Sequence, residues 1–157
     1  MKNRFFRKII CLLFSISMVL LPITSYAQSN SDNIVSVQYF EDGSQLVTEI
    51  STQSSFAKSS SKTGNKTFTY KNSNGNSEWS ITIKGTFTYT GSSALCTDSS
   101  ISYNIYDSSW KCTKTTATKS GRTAKGSFIM KKYAGIIVSK TIEKEMSISC
   151  SNNGTLS

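Results

Sequence analysis

Residues 78–90, with the sequence EWSITIKGTFTYT, constrain the fold more strongly than any other segment of the chain. Apolar and polar side chains alternate along this segment. A period of two is typical of a β-strand that buries one face and exposes the other. We therefore predict an antiparallel strand, with Gly85 as a candidate bulge. Its core face comprises Trp79, Ile81, Ile83, Phe87 and Tyr89, and its solvent-facing row comprises Ser80, Thr82, Lys84, Thr86 and Thr88.

Seven further segments carry strand-type patterns and are separated by residues that favour turns. Asp42-Gly43 marks a hairpin turn, because glycine accepts positive φ without steric cost. The Ser-rich segment 51–65 is predicted to be a long surface loop, and 91–100 a connection. The predicted strands are 34–40, 44–50, 66–71, 101–106, 110–118, 123–133 and 140–150, and they add Trp110 and Ile148 to the predicted core.

This series of short strands predicts an all-β fold class. The architecture that we expect is a single antiparallel β-sandwich over residues 34–157, with an immunoglobulin-like arrangement or a small barrel as variants. Residues 135–146 could compete as a helix, but their β-branched residues and period of two favour a strand.

The first 27 residues have the pattern of a secretory signal peptide. Four basic residues precede an apolar run from Ile9 to about Ile23, and Ser25 and Ala27 occupy the small-residue positions of a cleavage site. The run is shorter than the roughly 20 residues of a membrane-spanning helix. We expect cleavage after Ala27, a flexible start at 28–33, and a secreted, extracellular or cell-envelope protein without a stable membrane span.

The net charge constrains the partners. Removal of the first 27 residues lowers the formal net charge from +9 to +5. A moderately basic exported protein is attracted to anionic surfaces. The lysines form no run and no patch interleaved with aromatic residues, so we expect no nucleic-acid partner. The candidate partner is an anionic cell-surface polymer or a glycan, and we expect a monomer.

Three cysteines follow the predicted signal peptide: Cys96, Cys112 and Cys150. In an oxidising compartment two of them would usually pair. We expect a disulfide between Cys96 and Cys150, with Cys112 buried as a free thiol beside Trp110. A Cys112–Cys150 disulfide is the alternative.

Two resemblances support a secreted β-domain. The spacing of Cys96, Trp110 and Cys150 resembles the Cys–Trp–Cys signature of immunoglobulin domains, although Ile148 stands where those domains have tyrosine. The segments YFEDGSQLVTEIS, WSITIKGTFTYTGSSALC and SGRTAKG are similar to segments of small secreted β-rich proteins of Gram-positive gut bacteria, for which no activity is known. This second resemblance implies an extracellular β-rich domain and supplies no catalytic residue.

The residue inventory excludes several kinds of chemistry. The chain has no histidine, which removes Ser-His-Asp and Cys-His nucleophilic systems and every zinc site that contains histidine. A carboxylate-based hydrolase stays an alternative, with Glu143 and Glu145 or Glu41 and Asp42 as the pair. A solvated strand face with cross-strand ion pairs explains Glu143 and Glu145 better, and turn formation explains Glu41 and Asp42. We predict no catalytic residue, no metal site and no cofactor.

The function predicted from these features is non-enzymatic binding at the cell surface or in the extracellular medium. Two alternatives remain: a membrane-active or antimicrobial protein that inserts a hairpin at 110–133, and a passive structural or inhibitor domain. The candidate binding face comprises Thr82, Lys84, Thr86, Thr88 and Tyr106.

Overall fold

A computed structural model describes residues 33–53 and 60–157, and within these ranges the protein is all-β without a helix. The predicted signal peptide and the segment 28–32 lie outside the described residues. The eight strands are β1 (Asn33–Tyr39), β2 (Gln45–Gln53), β3 (Ser61–Lys71), β4 (Ser77–Tyr89), β5 (Ala94–Ile105), β6 (Trp110–Ser120), β7 (Thr123–Ala134) and β8 (Ile137–Ser149).

The strands form two antiparallel sheets. The five-stranded sheet has the order β1-β2-β3-β4-β5, and the three-stranded sheet has the order β6-β7-β8. Within each sheet every strand therefore pairs with its neighbours in sequence. The segment between β5 and β6 carries the chain from one sheet to the other. The prediction of an all-β fold is confirmed, and the strands form an open meander in each sheet.

The inward faces of both sheets contribute to one hydrophobic core. The alternating row of β4 is central to it, with Trp79, Ile81, Ile83 and Phe87 fully buried and Tyr89 half-buried. The three-stranded sheet contributes buried side chains that include Trp110 and Ile148. A group of aromatic rings connects the two sheets, with contacts between Tyr70 and Trp79, Tyr70 and Trp110, Trp79 and Trp110, Trp79 and Phe128, and Phe68 and Phe128.

Glycines allow the two sheets to approach closely. A Cβ atom added to Gly126 of β7 would lie 3.0 Å from Ile83 of β4 and 3.2 Å from Ile101 of β5. At Gly85 an added Cβ would lie 2.5 Å from the Phe87 ring, because this ring folds back over the glycine. The irregularity in the ladder between β4 and β5 falls between Thr86 and Phe87, one residue beyond the predicted bulge.

Two segments that the sequence pattern assigned to connections are partly strand. In the Ser-rich segment 51–65, β2 continues to Gln53 and β3 begins at Ser61, while 54–59 lies outside the described residues. In 91–100, β5 begins at Ala94. Both predictions were wrong at these positions because the long β4 provides a backbone ladder on each side. This pairing overrides the weak strand propensity of serine and aspartate.

The predicted disulfide is absent, because all three described cysteines are thiols. Cys96 and Cys150 are both buried beside the β6–β7 turn, where their N–H groups donate to the carbonyls of Gly121 and Arg122. Burial raises the pKa of both thiols, which disfavours the thiolate needed for oxidation.

Each of the three sulfurs is engaged by its own local backbone. The Cys96 thiol donates to the carbonyl of Asp98 at 3.2 Å, and the Cys150 thiol to that of Ser151 at 3.4 Å. Cys112 is half-buried, where the sequence predicted a buried thiol. The irregularity in the β6–β7 ladder falls directly after it, between Cys112 and Lys114, and interrupts the regular alternation of the strand.

Candidate binding faces

The outer face of the five-stranded sheet carries the binding residues predicted from the sequence. Thr82, Lys84, Thr86 and Thr88 all lie on the side of β4 that points away from the core. The neighbouring β3 aligns hydroxyl groups beside them, with 2.9 Å between the Oγ1 atoms of Thr67 and Thr82. The predicted row is therefore part of a wider hydroxyl-bearing surface.

Tyr106, which follows the end of β5, belongs to the same surface. Its hydroxyl lies 3.2 Å from the Oγ of Ser80, which points outward from β4. The ring is exposed. The structure therefore brings all five predicted residues to one face, which offers many neutral hydrogen-bonding groups and one lysine.

Positive charge is concentrated in the other sheet. Residues 110–149, which contain β6, β7 and β8, include nine Lys and Arg residues against two Glu. Residues 33–105 include five Lys and five acidic residues, so their formal charges cancel. The basic character of the chain therefore belongs to the three-stranded sheet.

Four lysines project from the outer face of the three-stranded sheet; we call this surface the basic face. Lys111 and Lys131 are direct cross-strand partners, and Lys114 and Lys125 lie further along β6 and β7. Among the described residues none of the four has a carboxylate within 4.0 Å. Like charges directly opposite each other destabilise a sheet, so an anion bound between Lys111 and Lys131 would relieve a repulsion that the fold leaves in place.

A cleft of about 390 Å³ adjoins the basic face. Lys125 of β7 and Lys66 of β3 contribute amines to its lining, Glu145 of β8 contributes a carboxylate, and the hydroxyl groups come from Thr116, Thr118, Ser127 and Ser147. Thr116 and Ser127 are hydrogen-bonded to each other across the β6–β7 ladder at 2.5 Å. The lining can therefore form ionic and neutral hydrogen bonds with a polar ligand.

A buried ionic group joins the two sheets near the β5–β6 segment; we call Glu78, Trp110 and Lys132 the buried joint. Glu78 of β4 is only 6% exposed. Its carboxylate accepts a hydrogen bond from Trp110 Nε1 at 2.7 Å and from Lys132 Nζ at 3.0 Å. Lys132 also lies 3.9 Å from Asp107, whose pKa is lowered by hydrogen bonds from Ser109.

A second ionic group joins the same two sheets at the β1–β2 turn; we call Asp42, Ser44, Tyr70 and Lys140 the exposed joint. Lys140 Nζ of β8 donates to Asp42 Oδ2 and to Tyr70 Oη, both at 2.7 Å, and to Ser44 Oγ at 3.1 Å. Hydrogen bonds from Lys140 and Ser44 hold the pKa of Asp42 far below its ordinary value. Burial opposes the charge on Lys140, but the bonds to Asp42 and Tyr70 raise its pKa.

The carboxylate pairs considered for hydrolysis are placed differently from each other. Glu143 and Glu145 are exposed on the outer face of β8, and Glu41 lies beside Asp42 in the β1–β2 turn.

Among the described residues no group of three metal-ligating side chains comes together. The described part of the chain also contains no helix that is long and apolar enough to cross a membrane.

Two functional features were missed by the sequence interpretation. Glu78 stands next to a turn that is rich in Asn and Ser, and nothing in that pattern indicates a buried carboxylate. The segregation of charge was readable, because the excess of lysine begins sharply at Trp110. The search for a run of lysines missed it, since alternate positions on three strands do not form a run.

Comparisons with protein-family models, curated proteins and solved structures give no match to this chain. The resemblance to small secreted proteins therefore stays a prediction.

Proposed function

We propose that this chain is a secreted, non-enzymatic β-sandwich domain that binds an anionic extracellular polymer through the basic face. The observation that carries the proposal is the segregation of charge: nine basic against two acidic residues in 110–149, next to a segment of residues 33–105 whose charges cancel. Four of these lysines lie on the basic face, with Glu143 and Glu145 on the same outer side, and the net positive charge that remains attracts polyanions.

The geometry of the basic face supports a polymer with repeated acidic groups. Lys111 and Lys131 sit at one end of the β6–β7 pair, and Lys125 sits towards the other end. Strands rise by about 3.3 Å per residue, so a chain laid along β7 from Lys125 to Lys131 would meet amines over about 20 Å. Hydroxyl groups of Thr116 and Ser127 lie between these amines and suit the neutral part of a saccharide.

The proposed site is tested by binding to polygalacturonate, a carboxylate polymer, with neutral dextran as the reference. We expect the full chain to bind polygalacturonate, to ignore dextran, and to release the polymer as salt is raised. Lys114→Gln with Lys125→Gln should weaken binding by about 30-fold, since each lysine contributes about 1 kcal/mol near an anionic surface.

The matched control removes the same charge from the other sheet. Lys71→Gln with Lys84→Gln should leave binding to polygalacturonate close to that of the unmodified chain. Equal losses in both double variants would mean that only net charge matters, and the proposal would be rejected. A loss confined to the control pair would place the site on the five-stranded sheet instead, and equal binding to dextran would reject an anionic ligand.

A further inference from the structure

The β7–β8 turn and the first two residues of β8 present three consecutive aliphatic side chains to solvent; we call Ile136, Ile137 and Val138 the apolar tip. Their exposed fractions are 97%, 69% and 42%. None of them belongs to the hydrophobic core or packs against it. A run of exposed aliphatic residues at the end of a hairpin is unfavourable in water unless another surface covers it.

Other exposed apolar groups lie at the same end of the molecule. The contacts of Lys132 with Glu78 and of Lys140 with Asp42 bring the β7–β8 turn to the end that carries the β1–β2 turn and the β5–β6 segment. Tyr39 and Tyr106, both exposed, flank that end. The opposite end holds the β4–β5 and β6–β7 turns, and Leu95 is the large exposed apolar side chain near it among the described residues.

Cationic and aromatic side chains lie between the apolar tip and the rest of the three-stranded sheet. We call them the collar: Tyr133, Lys111, Lys131, Lys132 and Lys140. Tyr133 follows the lysines at the end of β7, and Lys111 Nζ lies 5.2 Å from the centre of its ring. Lys111 and Lys131 are the two lysines of this collar without a carboxylate nearby in the described structure, since Lys132 and Lys140 are paired with Glu78 and Asp42. Aliphatic tip, tyrosine and unpaired lysine therefore follow one another along the hairpin.

We propose that the apolar tip inserts into the interfacial region of an anionic lipid bilayer. The order of groups along the hairpin matches the layers of such a surface: aliphatic side chains favour the acyl region, tyrosine favours the headgroup level, and lysine favours the anionic surface. Charge complementarity selects a bilayer over an apolar protein partner, because the tip extends from the sheet that carries the positive charge. The insertion proposal shares Lys111 and Lys131 with the basic face, but the apolar tip itself lies outside the proposed polymer site, so substitutions at the tip separate the two proposals.

A tryptophan probe at the tip tests the insertion in the full chain. Ile136→Trp is compared with Leu95→Trp, which places the same probe at the opposite end. Native Trp79 and Trp110 are buried and give a constant background. The vesicles contain phosphatidylglycerol and phosphatidylcholine with brominated acyl chains, which quench only tryptophan at membrane depth. Quenching reports only the depth of the tryptophan at the substituted position. Membrane insertion of the apolar run from Ile9 to Ile23 would therefore not by itself produce the signal.

We expect the bromines to quench the probe of Ile136→Trp and to leave that of Leu95→Trp unaffected. Lys111→Gln with Lys131→Gln should raise the vesicle concentration needed for quenching at position 136 by about 30-fold. Circular dichroism should show the same strand content in all variants, because each changed side chain lies on the surface. In a separate check, Ile136→Ser with Ile137→Ser should leave polygalacturonate binding unchanged.

Four results would overturn the inference. These are equal quenching at both positions, no quenching at position 136, equal insertion into vesicles of phosphatidylcholine alone, and burial of the probe at position 136 that depends on protein concentration without vesicles. The last would identify a second copy of the chain as the occupant of the tip.

Discussion

The buried joint and the exposed joint both connect the two sheets through an ion pair, but one is shielded from solvent and the other is exposed to it. Each connects the five-stranded sheet to a lysine of the three-stranded sheet, and each includes an aromatic residue of the core. In the buried joint the carboxylate of Glu78 is removed from water, whereas Asp42 of the exposed joint stays hydrated. The strength of an ion pair depends on that difference, because solvent screens exposed charges and leaves buried ones dependent on their partners.

The largest effect is expected from Glu78→Gln in the buried joint. The amide leaves Lys132 with only the more distant Asp107 as a counter-ion, and it cannot accept from both Trp110 and Lys132 as strongly as a carboxylate. We expect the free energy of unfolding to fall by about 3 kcal/mol, measured by urea denaturation with tryptophan fluorescence as the probe.

The control for this prediction removes both charges. Glu78→Met with Lys132→Met should recover most of the lost stability, because it leaves no buried charge unpaired. If the double variant is as unstable as Glu78→Gln, then packing and not charge dominates the buried joint.

An intermediate effect is expected from Trp110→Phe. This change removes the indole N–H that donates to Glu78 and keeps an aromatic ring in the core. The matched control is Trp79→Phe, since Trp79 Nε1 is buried without a hydrogen-bond partner in the described structure. Both changes shrink a ring, so their difference isolates the hydrogen bond to the carboxylate. We expect Trp110→Phe to be the more destabilising by about 2 kcal/mol in urea denaturation; equal losses would contradict the assigned role.

The smallest effect is expected from Asp42→Asn in the exposed joint, and it should depend on pH. Because the pKa of Asp42 is lower in the folded protein than in the unfolded chain, its carboxylate contributes stability above the unfolded pKa of about 4. That contribution disappears as pH falls below this value towards the folded pKa. At pH 7 the variant should be slightly less stable than the parent, and the two should converge in acid. Thermal unfolding at several pH values measures the gap; a gap that widens in acid would contradict the assignment.

The sequence predicted those features that depend on one strand and its own turn. The alternation in 78–90 identified the buried row of β4, and Asp42-Gly43 identified the first hairpin, where Gly43 has a φ of 76°. Strand at 61–65 and at 94–100 could not be predicted, because it depends on the length of β4 and not on local propensity. Glu78 was missed for the same reason, since only the approach of Trp110 and Lys132 from the other sheet encloses it.

The candidate faces were predictable to different degrees. The side on which Thr82 and Tyr106 lie follows from strand parity, and the structure adds the alignment with β3. To predict the basic face, charges have to be counted separately for each sheet. The boundary between the two sheets, between Ile105 and Trp110, has no strong sequence signal. The apolar tip lies in the segment GIIV, whose β-branched residues favoured a strand over a helix without indicating that the side chains are uncovered.

The sequential pairing of strands has a consequence for how the chain acquires its structure. Each strand finds its partner a few residues away, so every step closes only a short loop, and folding can advance hairpin by hairpin from the N-terminal side. A chain that emerges gradually from a ribosome or a membrane pore could assemble the five-stranded sheet before β6 appears. Trp79 and its neighbours in that sheet would stay exposed to solvent until β7 and β8 have formed and packed against them. Substitutions in 110–149 that delay this last step would therefore prolong an aggregation-prone intermediate even where they leave the final stability unchanged.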